Sequence, residues 1–286
     1  MNFDLSDDQR MLKDTARSFL ERECASAKLR ALLDDPRGST DELWSKIVEL
    51  GWLGLAVPEA YGGIGLGFLD LAVVLEEAGR ALLPGPFFST AVLAGSTLAD
   101  GGSEAQKQRW LPEIAAGRAI GAAAVWEEGG AWTPQAIEAK ARKTKTGYAL
   151  SGRKCAVLDA HVADFLLVAA KLGTGVALFL VERGAKGLAI EPMKTVDGTR
   201  RIAHVTLTGV KLSEDALVGG NADAWPLLSR TLDRAAAGMA AEMVGGAGKT
   251  LEMSVDYAKI RVQFGRPIGS FQAIKHKCAD MMLLVE

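Results

Sequence analysis

Residues Tyr257–Gln272 read YAKIRVQFGRPIGSFQ. The Tyr257–Ile260 end continues a long Ala-rich helix, the Gly265-Arg266-Pro267 step forbids further helix, and Ser270 to Gln272 opens a second one. Such an elbow gathers a guanidinium, side-chain amides, helix-start N–H groups and an aromatic ring in one place. The second helix then runs to Glu286 without a C-cap, and a bundle short of its remaining helices is the expectation.

Upstream of the elbow, a helix is predicted from about Ala224 to Ile260, after a Gly219-Gly220 linker. Before that, from about Ala119 to Val218, the pattern is that of strands. Ile137-Ala139-Ala141 alternates with Glu138-Lys140-Arg142, and a hairpin turns at Lys145-Thr146-Gly147. Phe165–Ala169 and Val176–Val181 are continuous apolar runs that suit buried strands, although short buried helices share that pattern. Ala203, Val205 and Leu207 alternate again.

The first 117 residues read as helices. Ser6 with Gln9 and Ser103 with Gln106 are capping-box pairs, Ser39 with Glu42 opens another helix, and Pro84 and Pro86 interrupt the chain. Helices, then strands, then helices define an α+β chain with segregated layers. The expected parts are an N-terminal helical domain (1–117), a middle β-sandwich or barrel domain (118–218) and an incomplete C-terminal helical bundle (219–286).

Composition excludes several classes. The 33 basic and 35 acidic residues are interspersed, which argues against a nucleic-acid partner. No apolar run reaches the ~20 residues of a membrane helix. Cys24, Cys155 and Cys278 lie far apart, with no metal spacing or disulfide framework, so a cytoplasmic location is expected.

Candidate chemical groups each carry two readings. The Gly62-Gly63-Gly65-Gly67 cluster is a phosphate cradle or a loop; the missing strand before it and its spacing favour the loop. Arg261 is an anion-binding group with five donors or a surface arginine beside a turn. His161, His204 and His276 have no acid or nucleophile at a catalytic spacing and read as solvated or satisfied structural groups. Glu242, inside the long helix, is a buried base or, with better odds, a solvated or ion-paired glutamate.

Three segments, GWLGLAVPEAYGGIGLGFLDLAVVLEEAGRA, WLPEIAAGRAIGAAAV and RVQFGRPIGSFQ, occur in an order that resembles the acyl-CoA dehydrogenase family over nearly the whole chain. The resemblance implies the three domains above, usually in tetramers, with FAD between the β domain and the bundle and partly against a neighbouring subunit. It implies α,β-dehydrogenation of an acyl-CoA thioester in fatty acid or steroid catabolism, with electrons passed to an electron-transferring flavoprotein. By the same resemblance Arg261, Gln263, Phe264 and Gln272 address the FAD pyrophosphate and adenine side, Glu127 and Gly129 belong to the flavin loop, and Asp233 lies near CoA.

Departures from the family pattern are as informative. The flavin loop reads WEEGGAWTP, without its Gly-Ser-Asp end. The Trp-Ile-Thr strand beside the flavin is Ala156-Val157-Leu158, and a glutamate position used as base by some members is Ala235, followed by Ala236 in place of arginine. No catalytic base is assigned. Three expectations follow: a C-terminally short dehydrogenase, a non-catalytic or half-site partner subunit of a mixed α2β2 assembly, or a pseudoenzyme that binds acyl-CoA or only another protein.

Overall fold

A computed structural model describes residues 4–220 and 223–286. By contact the chain divides into two compact units. One comprises Ser26–Leu71 and Pro84–Ala236, the other Met1–Ala25, Ala72–Leu83 and Ala237–Glu286. The three-part division expected from the sequence follows element type, whereas this one follows packing.

In the larger unit, helices α2 (Ser26–Ala31) and α3 (Asp41–Glu49) come first. Thr40 caps α3, accepting the Leu43 amide at 3.1 Å, which corrects the Ser39 start. A π-helical stretch, Phe88–Gly95, continues into α5 (Ser96–Gly101), and α6 (Glu104–Ala115) carries the expected Ser103–Gln106 capping box.

The strands are β1 (Gly121–Ala124), β2 (Lys140–Thr144), β3 (Gly147–Leu158), β4 (Phe165–Leu172), β5 (Gly175–Glu182), β6 (Leu188–Pro192), β7 (Ile202–Leu212) and β8 (Leu217–Val218). They form one sheet in the order β6-β7-β3-β2-β4-β5-β8, with β1 parallel to β4. Ile137 and Ala139 alternate as expected but precede the ladder, which starts at Lys140.

Strands β4 and β5 settle the ambiguity of the apolar runs. Phe165, Leu167, Ala169, Val176, Leu178 and Leu180 pack with Trp110, Leu111 and Ile114 of α6 on one face. Leu166, Val168, Ala170, Ala177, Phe179 and Val181 pack with Tyr148, Leu150, Val205 and Leu207 on the other. A period of two with both faces buried produces an unbroken apolar run in a strand. The ring of Tyr148 on β3 lies 5.0 Å from that of Phe179 on β5, so the sheet curls over its own core.

In the smaller unit, α1 (Asp7–Glu23) has the expected Ser6–Gln9 capping box and buries Ala16, Phe19 and Leu20. Its Arg17 holds the buried Glu77 carboxylate through two bonds of 2.7 and 2.9 Å. Glu77 belongs to α4 (Phe68–Ala81), whose C-terminal half crosses α7 (Trp225–Ile260). A Cβ on Gly79 would lie 2.0 Å from the Glu242 carbonyl oxygen, and one on Gly245 1.8 Å from that of Glu76. Only glycine permits so close a helix crossing. Glu242 is buried and partnered, not solvated. After α7 come β9 (Val262–Gln263), β10 (Arg266–Pro267) and α8 (Gln272–Val285).

Candidate functional site

The elbow is a miniature hairpin where the sequence suggested a plain break. Gln263 pairs with Arg266 and Val262 with Pro267, and the two turn residues, Phe264 (φ 51°) and Gly265 (φ 75°), are both left-handed. Two positive φ values in a two-residue loop are those of a type I′ turn. The turn is closed by the Ile268 amide donating to the Arg261 carbonyl at 2.8 Å. The Phe271 ring is held edge-on by Phe264 at 6.1 Å and covered by the Arg266 guanidinium at 4.1 Å.

This arrangement leaves Arg261, Gln263, Phe264 and Gln272 exposed, with Phe264 at 91%. Among the described residues, the side chains of Arg261, Gln263 and Gln272 make no hydrogen bond or ion pair. A guanidinium and two primary amides, displayed beside the N-terminus of a 14-residue helix, form a donor set suited to a diphosphate.

Glu127, Gly129 and Asp233 lie in the larger unit, the elbow residues in the smaller. Glu127 is already engaged. Its carboxylate accepts from Lys154 Nζ at 2.5 Å and from the amides of Glu138 and Ala139 at 2.8 and 3.1 Å. The side chain thus closes the base of its own loop, and what remains to a ligand there is backbone. Gly129 (φ 108°) and Gly130 (φ 64°) follow, with open space where a Cβ would stand. Asp233 is exposed on α7.

Two sites that departed from the family pattern have a local cause. The β3–β7 ladder slips between Lys154 and Val157, and Ala156 inside that irregularity has φ 51°. Ala156 is exposed and Leu158 half-buried, so neither offers a polar group. Ala235 and Ala236 likewise carry no acid or base.

Lys154, Asp159 and the Trp126–Trp132 pair are set by the tertiary structure and match no sequence motif. Lys154 is fully buried, on the same strand phase as Tyr148 and Leu150. Burial lowers its pKa against the opposing pull of Glu127. That phase was the available signal. Asp159 is buried and bonded to Ser89 Oγ at 2.7 Å, and burial raises its pKa to about 6. The Trp126 and Trp132 rings meet edge to face at 4.7 Å. Two tryptophans six positions apart across a Gly-Gly step were the readable sign of that contact.

The histidines are structural, but not fully satisfied. His161 Nε2 lies 3.2 Å from the Arg37 carbonyl oxygen, and burial lowers its pKa. The Nδ1 atoms of His161 and His204 are buried without a partner among the described residues. His276 is exposed.

A helical segment, a curled β domain and a long helix leading to a donor-rich elbow define the fold class of the acyl-CoA dehydrogenases. The acyl-CoA dehydrogenase N-terminal, middle and C-terminal domain families match residues 6–118, 122–210 and 223–286. The chain belongs to the acyl-CoA dehydrogenase family, whose members are FAD-dependent oxidoreductases. It is 37% identical to acyl-CoA dehydrogenase FadE27 of Mycobacterium tuberculosis over 84% of this chain and 61% of that protein. The ChsE4-ChsE5 complex of M. tuberculosis superposes with TM-score 0.91 at 31% identity, covering all of this chain and 76% of the other. A Tcur3481-Tcur3483 steroid ACAD variant superposes with TM-score 0.87 at 33% identity, over 98% and 74%. The chain thus spans less than two thirds of FadE27 and about three quarters of the two solved chains. The elbow's donor set fits FAD's diphosphate.

Proposed function

We propose that this chain is one subunit of a heteromeric, FAD-dependent enzyme that introduces an α,β double bond into an acyl-CoA thioester. The observation that carries this reading is the elbow: Arg261, Gln263, Phe264 and Gln272 are all exposed on it, and their polar side chains have no partner among the described residues. Arg261 provides charge and a planar fork for the pyrophosphate, with Gln263 and Gln272 as amide donors near the adenine side. Glu127 shapes the loop that brings the Gly129 backbone to the cofactor. Asp233 contributes a hydrogen-bond acceptor near CoA. FAD, when bound, supplies the hydride acceptor.

Abstraction of the Cα proton needs a positioned base. Ala235 cannot serve, so the base in this reading is a carboxylate outside the described residues. The steroid ACAD likeness favours a bulky, steroid-derived acyl group, and the ChsE4-ChsE5 likeness favours a heteromeric assembly. Electrons leave to an electron-transferring flavoprotein. The boundaries 1–117, 118–218 and 219–286 are proposed as the functional domains. The cytoplasm is the proposed compartment, consistent with three free cysteines; among the described residues no helix is long and apolar enough to cross a membrane.

A non-catalytic partner, or a pseudoenzyme that binds acyl-CoA, is the second reading, and Ala156, Leu158 and Ala235 favour it. Purification alone and after co-expression with a homologous subunit separates the readings. Stoichiometric FAD and acyl-CoA-dependent dye reduction only in the mixed preparation support the heteromer. Full activity of the chain alone refutes it, and a colourless protein in both preparations leaves the pseudoenzyme.

A further inference from the structure

We infer that Trp126 and Trp132 form an aromatic seat for the isoalloxazine ring of FAD, with unpaired amides of the same loop as donors to the ring's polar edge. This inference rests on the flavin reading above and names residues of that site which the family pattern does not supply.

The loop is built to present something. Glu127 accepts hydrogen bonds from Lys154 and from the amides of Glu138 and Ala139, so one carboxylate ties together the two ends of the 127–139 segment. The Trp126 carbonyl accepts the Cys155 amide at 2.8 Å, fixing that residue to β3. Compact surface loops with joined ends are frequently functional.

On this base, Trp126 packs partly buried against the α6–β4 core, and its indole meets Trp132 at 4.7 Å with an interplanar angle of 69°. Trp132 is nevertheless 58% exposed. An indole of this size left in water, yet held by a second indole, offers a prepared aromatic surface. Between the two rings, Gly129 and Gly130 are left-handed with open space beside them. The backbone amides of Gly129, Ala131 and Trp132 donate no hydrogen bond among the described residues.

These two features select the ligand chemistry. Indole is electron-rich, and the oxidised isoalloxazine is planar and electron-poor. One edge of that ring carries carbonyl and ring-nitrogen acceptors that match unpaired N–H groups. An aliphatic acyl chain would use the indoles but not the amides, and a phosphate the amides but not the indoles. Neither Ala156 nor Leu158 offers an aromatic ring in their place.

The test uses the full chain in whichever preparation retains FAD, alone or with its co-expressed homologous subunit. After the flavin is removed, FAD, riboflavin and ADP are titrated while indole fluorescence is followed. Stacking on an aromatic side chain is worth ~1–3 kcal/mol by truncation, so Trp132→Ala should weaken FAD and riboflavin by about tenfold or more. The variant should also lose most of the FAD-induced indole quenching, with ADP binding unchanged. Trp132→Phe should restore FAD affinity to within about threefold, since it keeps a ring. Unchanged FAD affinity in Trp132→Ala overturns the inference and leaves the flavin reading standing. An equal loss for ADP overturns it too, because a ring seat does not touch the nucleotide. If no preparation of the wild type takes up FAD, the flavin reading falls and the seat with it.

Discussion

The ammonium of Lys154 lies 2.5 Å from Glu127 Oε1, with the lysine side chain fully buried and the glutamate 8% exposed. Lys154 also donates to the Val125 carbonyl at 3.1 Å. The pair joins the middle of β3 to the start of the tryptophan loop, so the strand dictates where the loop leaves the sheet. Removing one member of a buried pair strands the other charge. Lys154→Met should therefore lower the unfolding free energy by about 3–5 kcal/mol. The double variant Lys154→Met with Glu127→Gln should recover a substantial part of that loss, since no buried charge remains. Urea denaturation of the three proteins checks this. A single-variant cost under ~1 kcal/mol would show that water reaches the pair.

Asp159 sets a pH dependence of the opposite kind from a surface carboxylate. Burial raises its pKa from 3.8 to about 6, against the pull of the Ser89 hydroxyl and of Arg200 and Arg201. A raised folded value means that the fold prefers the protonated acid. The contribution to stability is complete below about pH 4 and is lost as the pH climbs through about 6. Asp159→Asn removes that titration. Its stability should exceed the wild type's by on the order of 2–3 kcal/mol at pH 8 and match it near pH 4. Unfolding curves at several pH values decide the matter, and a gap that does not depend on pH counts against the argument.

Gly245 is where α7 passes closest to α4. The added methyl of Gly245→Ala would stand 1.8 Å from the Glu76 carbonyl oxygen, which is backbone and cannot swing aside. Overpacking of this kind costs about 1–3 kcal/mol, or more where helices must separate. Gly248→Ala, on the same helix with open space around it, should by contrast be neutral or slightly stabilising through helix propensity. Thermal melts of the two variants provide the comparison. Similar melting temperatures would mean that the crossing yields easily.

Arg261 separates charge from geometry at the elbow. If its fork grips a pyrophosphate, Arg261→Ala should weaken FAD retention by about 10- to 100-fold. Arg261→Lys should recover only a fraction, because an ammonium cannot match two phosphate oxygens at once. Equilibrium dialysis of FAD against both variants measures this, in the preparation that retains flavin. Full rescue by lysine would reduce the arginine to a point charge.

Much of the fold was readable in residue order. The Ser6–Gln9 and Ser103–Gln106 boxes place helix starts because those bonds form within four residues. At α3 the Ser39–Glu42 pair satisfies the capping-box pattern, but the fold starts the helix one residue later, with Thr40 as the cap and Leu43 at the third position. The Phe165–Ala169 run could not declare itself strand or helix, because its second buried face is produced by α6, far away in sequence. For the site, the elbow residues were legible as a motif. Glu127 was legible only as a motif position, and its partners Lys154, Glu138 and Ala139 could not be seen from its neighbours.

By itself, the sequence determined the order of layers, the family and the presence of an elbow at Arg261–Gln272. Those depend on periodicity, on Gly and Pro chemistry and on spacing, all of which are local. The tertiary structure alone decided that Phe264 and Gly265 turn a hairpin, that Glu127 is consumed by Lys154, and that Trp126 meets Trp132. The reason is physical. Burial, ion pairing and ring contact are properties of the distance between atoms, and the chain sets those distances only when remote segments pack together.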